Sequence, residues 1–98
     1  MFDFQRLDDP MRLIAMARIG NIPQPADAGR ALNIVREARA HLREQHRSDF
    51  DLERPQSVLQ TLALGYRPRT HDCVIAVQSL SCRMQDEQDV ECEPLAGV

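Results

Sequence analysis

Three cysteines and three histidines are the side chains of this sequence best suited to hold a metal ion or to attack a substrate. Cys73, Cys82 and Cys92 are separated by nine and ten residues, a spacing that matches no Cys-x-x-Cys framework. A zinc site that combined them with His71 would need a loop closure that this spacing does not suggest. We therefore expect reduced thiols and no bound metal.

The remaining histidines do not form a metal pair either. His41 and His46 are five residues apart, which separates them by about 140° around an α-helix, so they cannot share an ion as an i, i+4 pair can. The sequence contains no HExxH, no GxSxG and no glycine-rich phosphate loop. These absences predict a protein that is not an enzyme and that needs no cofactor.

A row of arginines is the other feature of the sequence that could bind a ligand. Its four members, spaced at three and four residues, lie within about 80° of one another on one predicted helix. They are Arg36, Arg39, Arg43 and Arg47. One interpretation is an edge that binds anions, either nucleic-acid phosphates or an acidic partner. The other is a solvated face, or a docking site for the chain's own carboxylates.

The composition is that of one small globular domain. The chain has 98 residues, of which 43% are hydrophobic and 28% charged. No apolar run approaches the roughly 20 residues that span a bilayer, and the N-terminus does not resemble a secretory signal. We therefore expect a cytoplasmic protein. Twelve arginines without a single lysine indicate a GC-rich genome, which points to a bacterial or phage origin.

Charge is distributed unevenly along the chain. The formal net charge is −3, yet the last thirteen residues contain five acids and no base. We therefore divide the chain into a helical domain at 1–85 and an acidic tail at 86–98, and expect the tail to be exposed.

Hydrophobic periodicity predicts an all-α fold, a small bundle of about four helices at 9–19, 25–47, 55–64 and 70–85. Asp9 is predicted to cap the first helix, with Pro10 at its first helical position. Gly20 and Gly65 are predicted to end the first and third helices. The second helix has one apolar stripe that should face the core. Its members are Ala28, Ala31, Leu32, Val35, Ala38 and Leu42.

The fourth predicted helix has apolar residues on two faces. Cys73, Val77, Leu80 and Met84 recur at helical spacing on the first. The opposite face supplies a predicted partner or dimer interface, formed by Ile75, Cys82, Val74, Gln78 and Ser79. A competing interpretation makes 73–77 a buried β-strand, since three of its residues are β-branched.

These features favour a regulatory or inhibitory protein that acts by binding another protein and that forms a homodimer. The alternative is a DNA-binding regulator that uses the arginine row together with Arg67 and Arg69. These two follow Ala63-Leu64-Gly65, which resembles the turn of a helix-turn-helix unit, although Pro68 departs from that pattern. A metal-dependent module or minor enzyme subunit is the third possibility. The sequence does not identify the partner.

Overall fold

The computed structural model describes residues 2–96, with side chains described for residues 2–88. Within that range the chain forms four α-helices and two short 3₁₀ helices, so the predicted all-α bundle is confirmed. The α-helices are α1 (Asp8–Arg18), α2 (Pro25–Glu44), α3 (Glu53–Ala63) and α4 (Thr70–Ala96). The 3₁₀ helices, Phe4–Leu7 and Phe50–Leu52, lead directly into α1 and α3.

The start of α1 differs from the prediction. Asp9 does not cap the helix, because the backbone is already helical before it, in the 3₁₀ helix Phe4–Leu7 that leads into α1. Asp3 caps this preceding turn instead, and its carboxylate accepts a hydrogen bond of 3.0 Å from the backbone N–H of Gln5. Pro10 lies in the first turn of α1, where its missing N–H removes no intrahelical bond.

Left-handed residues end the first three α-helices. Gly20, His46 and Gly65 have φ values of 97°, 56° and 86°. After each of them the next N–H reaches back to a carbonyl in the last helical turn, as Asn21 does to Met16 at 3.0 Å. The predicted helix ends at the two glycines are therefore confirmed.

The helices run up and down the bundle, with α2 packed on α3, and α4 on both α1 and α3. As a result, the α1–α2 and α3–α4 connections lie at the same end of the molecule. A Cβ placed on Gly20 would lie 3.8 Å from Nη2 of Arg67, which joins the two connections in space. We call residues 16–25 and 63–70 together the corner end.

The core is a single apolar cluster between the four helices. All six residues of the predicted α2 stripe are buried, as are Phe4 and Leu7 from the segment before α1. The alanines in this stripe let neighbouring helices approach closely, while leucine and valine fill the space between them. The core face of α4 is formed mainly by Cys73, Ala76 and Leu80.

Helix α4 is longer than predicted. Residues 73–77 are helical, so the strand interpretation is wrong, and the helix continues from Gln85 through the predicted domain boundary to Ala96. The expectation that residues after Gln85 are exposed fails at Glu87, which is 7% exposed. Glu87 is drawn inward because it accepts hydrogen bonds from Arg47 and Arg83. The side chains of residues 89–98, including Cys92, lie outside the described residues.

Candidate functional site

A groove runs along the outer face of α4, between this helix and the segment that leads into α3. We call it the outer groove. Its upper part lies against α3 and reaches Arg67 and Arg69 at the corner end, and its lower part lies against the 3₁₀ helix Phe50–Leu52. Both parts share the same four lining residues, so the groove is continuous. These are Phe50, Asp51, Ile75 and Ser79.

Four of the five residues predicted to form an interface line this groove. Ile75 and Ser79 lie at its centre and are half-buried, while Gln78 and Cys82 line its lower part and are exposed. Val74 is half-buried and does not line the groove. The structure therefore brings together most of the predicted interface, and its role in binding stays a prediction.

Phe50 is the most exposed apolar residue of this groove, and it was not among the predicted site residues. Its side chain is 77% exposed, the highest value among the large apolar side chains described. It lies between the predicted helices 25–47 and 55–64, where the sequence predicted no element. The signal in the sequence was the alternation of Asp49, Phe50, Asp51 and Leu52, which places the aromatic ring and the carboxylates on a short turn.

Ion pairs on both sides of Phe50 fix the turn that carries it. Asp49 accepts hydrogen bonds from Nε of Arg39 at 2.8 Å and from Nε of Arg43 at 2.9 Å. On the other side, Asp51 is held by Arg83 of α4. Leu52, fully buried, anchors the turn in the core. With its neighbours tied down, the Phe50 ring projects to solvent from a fixed backbone.

The electrostatics of the turn agree with this geometry. The hydrogen bond from Arg39 lowers the pKa of Asp49 below its ordinary value of 3.8, and the charges of Arg39 and Arg43 lower it further, against the opposing effect of desolvation. The hydrogen bond to Asp51 raises the pKa of Arg83, assisted by Glu87. Asp49 and Arg83 are therefore charged at neutral pH, and each has a partner of opposite sign.

The arginine row on α2 is largely occupied by the chain's own acids. Arg39 and Arg43 bind Asp49, and Arg47 binds Glu87. Arg36 alone among the four has no ion pair with the described residues. The second sequence interpretation, a docking site for internal carboxylates, describes this geometry. An external anion would have to compete with those carboxylates, and such binding stays an untested hypothesis.

Among the residues whose side chains the structure describes, those considered for metal binding or nucleophilic attack do not come together. No group of three or more His, Cys, Asp or Glu residues among those described is arranged to hold a metal ion. The Cys73 thiol is buried, which raises its pKa, and the nearby charge of Asp72 raises it further. Cys82 is exposed, and His41 packs edge-on against the ring of Phe4 with centroids 5.7 Å apart.

Within the described part of the chain, every helix is too short or too polar to cross a membrane. No protein-family model, curated protein or solved structure matches this chain.

Proposed function

We propose that this chain is a small regulatory protein that acts by binding another protein, without catalysis, and that two copies pair through the outer groove. The observation that carries the proposal is the presentation of Phe50, an aromatic ring 77% exposed on a turn held from both sides. Exposed aromatic side chains on fixed backbone dominate the binding energy of many protein interfaces.

Because the turn that carries Phe50 is already fixed, binding through the exposed ring costs little conformational entropy. Ordering a flexible loop on association costs free energy, which is subtracted from the affinity. Here Asp49 and Asp51 already hold the loop in place through Arg39 and Arg83, so most of that ordering is complete before a partner arrives. Burial of the Phe50 ring then contributes nearly its full hydrophobic free energy.

A second copy is the occupant that the outer groove suits. The groove combines a projecting ring at its rim with a recess beside it, and the apolar part of this recess is formed by Val58 and Ile75. A surface with both a projection and a recess can be complementary to itself across a twofold axis. Each copy would then place Phe50 in the recess of the other, and Ile75 and Cys82 would be covered.

The test is the oligomeric state by sedimentation velocity over a range of concentrations. We expect a concentration-dependent dimer whose dissociation constant rises at least about tenfold in Phe50→Ala, as for the loss of a central aromatic residue. Ile75→Arg should abolish the dimer, with the helical circular dichroism unchanged. Tyr66→Ala is the matched control, because Tyr66 is 68% exposed and lies at the corner end.

Two results would contradict the dimer. The first is a wild-type chain that remains monomeric at millimolar concentration. The second is a dimer that Phe50→Ala and Tyr66→Ala weaken equally, since the outer groove would then have no special role.

A further inference from the structure

Exposed apolar side chains are concentrated at the corner end. Among the described residues, six large apolar side chains are markedly exposed, and all except Phe50 lie at this end. Their exposed fractions run from 45% to 68%. They are Met16, Ile19, Ile22, Leu64 and Tyr66. Apolar side chains grouped in this way mark interaction surfaces more often than isolated ones do.

The two connections that carry these side chains are neighbours in space. Gly20, between Ile19 and Ile22, lies beside the guanidinium group of Arg67, and Arg67 directly follows Tyr66. Met16 and Ile22 also line one shallow recess between α1 and the start of α2. The apolar side chains therefore belong to one end surface, with Arg67 between its two halves.

Arginines without an ion pair to a described carboxylate are concentrated at the same end. Eight of the twelve arginines form ion pairs with described carboxylates. Of the other four, Arg36 lies in the middle of α2, while Arg18, Arg67 and Arg69 lie at the corner end. The acids nearest to this end, Asp27 and Asp72, are already bound to other arginines.

Acids without an ion pair to the described residues lie towards the opposite end. They belong to the first turns of α1 and α3, to the last turn of α2 and to the second half of α4. These residues are Asp9, Glu53, Glu44 and Asp86, and Asp3, just before the 3₁₀ helix that leads into α1, joins them at this end. The described charges are thus polarised along the length of the molecule, and the corner end combines arginines that have no described ion-pair partner with exposed apolar side chains.

We infer that the corner end binds an acidic segment of another protein, whose apolar side chains cover Ile19, Leu64 and Tyr66 while its carboxylates pair with Arg18, Arg67 and Arg69. The inference rests on the proposed protein-binding function and names the surface and the partner chemistry. An acidic amphipathic segment satisfies both features, since carboxylates complement the arginines and apolar side chains complement the rest. Nucleic-acid phosphates would leave the aliphatic side chains without a partner.

The probe for the test is a fluorescent amphipathic peptide of about 16 residues, with leucines along one helical face and glutamates elsewhere. Titration of the full chain, followed by anisotropy, should show saturable binding that weakens as salt is added. We expect Arg67→Ala and Arg18→Ala each to weaken binding by up to about fivefold, as for one exposed ion pair. Arg36→Ala is the charge-matched control and should leave the affinity unchanged.

Peptide variants separate the two parts of the surface. A peptide with lysine in place of glutamate should not bind, and a peptide with serine in place of leucine should bind at least about tenfold more weakly. Ile19→Ser and Tyr66→Ala, both at exposed positions, should reduce the affinity for the leucine peptide while the helical circular dichroism remains that of the wild type.

The inference is overturned if Arg36→Ala weakens binding as much as Arg67→Ala, or if the peptide does not bind at all. It is also overturned if a short DNA duplex, or vesicles containing phosphatidylserine, bind this end more tightly than the peptide does. Arg67 and Arg69 line the outer groove together with Phe50, whereas Arg18 does not, so Arg18→Ala should weaken peptide binding without changing the dimer. Failure of the dimer and failure of this surface are therefore distinguishable.

Discussion

Two nitrogen atoms of the Arg83 guanidinium group bind the Asp51 carboxylate: Nε donates to Oδ2 at 2.8 Å and Nη2 donates to Oδ1 at 2.7 Å. Nη2 also lies 3.1 Å from the carbonyl oxygen of Ser48, to which it donates. One arginine of α4 thus fixes the segment before α3 at two points. Because this segment carries Phe50, the bond couples the interior of the bundle to the proposed interface.

Arg83→Lys should destabilise the fold even though it keeps the positive charge. An ammonium group cannot make the paired bonds to Asp51, and it leaves the buried carboxylate of Glu87 with one donor fewer. We expect a loss of about 1–2 kcal/mol in the free energy of unfolding, measured by urea denaturation. Arg36→Lys, at an arginine without an ion pair to the described residues, should change it by less than about 0.5 kcal/mol. Equal effects of the two changes would argue against the role of the paired bonds.

The ion pairs of Asp49 should contribute to the free energy of unfolding at neutral pH and lose this contribution in acid. Its pKa is lower in the folded chain than its ordinary value of 3.8, so the unfolded chain takes up its proton first as the pH falls. The stabilisation is complete above that ordinary value and is lost as the pH falls through the lower, folded pKa. We expect Asp49→Asn to be less stable than the wild type at pH 7, with the difference shrinking below about pH 4.

Glu44→Gln is the control for this pH dependence, since it removes one carboxylate from an exposed position of α2. Urea denaturation from about pH 7 to about pH 2.5 should show the larger pH-dependent change for Asp49→Asn, because Asp49 is ion-paired and Glu44 has no ion pair with the described residues. A difference for Asp49→Asn that does not shrink in acid would mean that its carboxylate is not what Arg39 and Arg43 stabilise.

Two glycines should respond to alanine in opposite directions. Gly65 has φ of 86°, and a methyl group there would have open space around it, so alanine meets only backbone strain and should destabilise by about 1 kcal/mol. Gly29 lies inside α2, also with open space, and alanine there should stabilise the chain by up to about 1 kcal/mol. Thermal denaturation measures both; changes of the same sign would contradict the assigned backbone conformations.

The thiols at 73 and 82 should react at very different rates. Cys82 is exposed in the outer groove, whereas Cys73 is 1% exposed and burial raises its pKa. With iodoacetamide at about pH 8, peptide mapping by mass spectrometry should find Cys82 labelled first and Cys73 labelled only as the chain unfolds. High protein concentration should slow labelling of Cys82 if the groove pairs two copies. Comparable rates for the two thiols in dilute folded protein would contradict the core position of Cys73.

The sequence by itself determined the features that depend on neighbours along the chain. The 3.6-residue period of α2 placed Ala28, Val35 and Leu42 in the core, because side chains at that spacing share one face of a helix whatever surrounds it. Gly20 and Gly65 marked helix ends for a similarly local reason, since a left-handed backbone favours the residue without a Cβ. Asp9 was predicted wrongly as a helix cap, because the helical backbone begins earlier, in the 3₁₀ helix Phe4–Leu7.

Only the tertiary structure decided which charges find each other. Arg39 lies ten residues from Asp49, Arg83 lies 32 residues from Asp51, and Arg47 lies 40 residues from Glu87. No spacing rule connects positions so far apart, because their meeting depends on how the helices pack. The packing paired most of the arginine row with the chain's own carboxylates. It also buried Glu87 of α4 and left the Phe50 ring exposed to solvent. Among the described residues, it also gathered three of the four arginines without an ion pair, and most of the exposed apolar side chains, at the corner end.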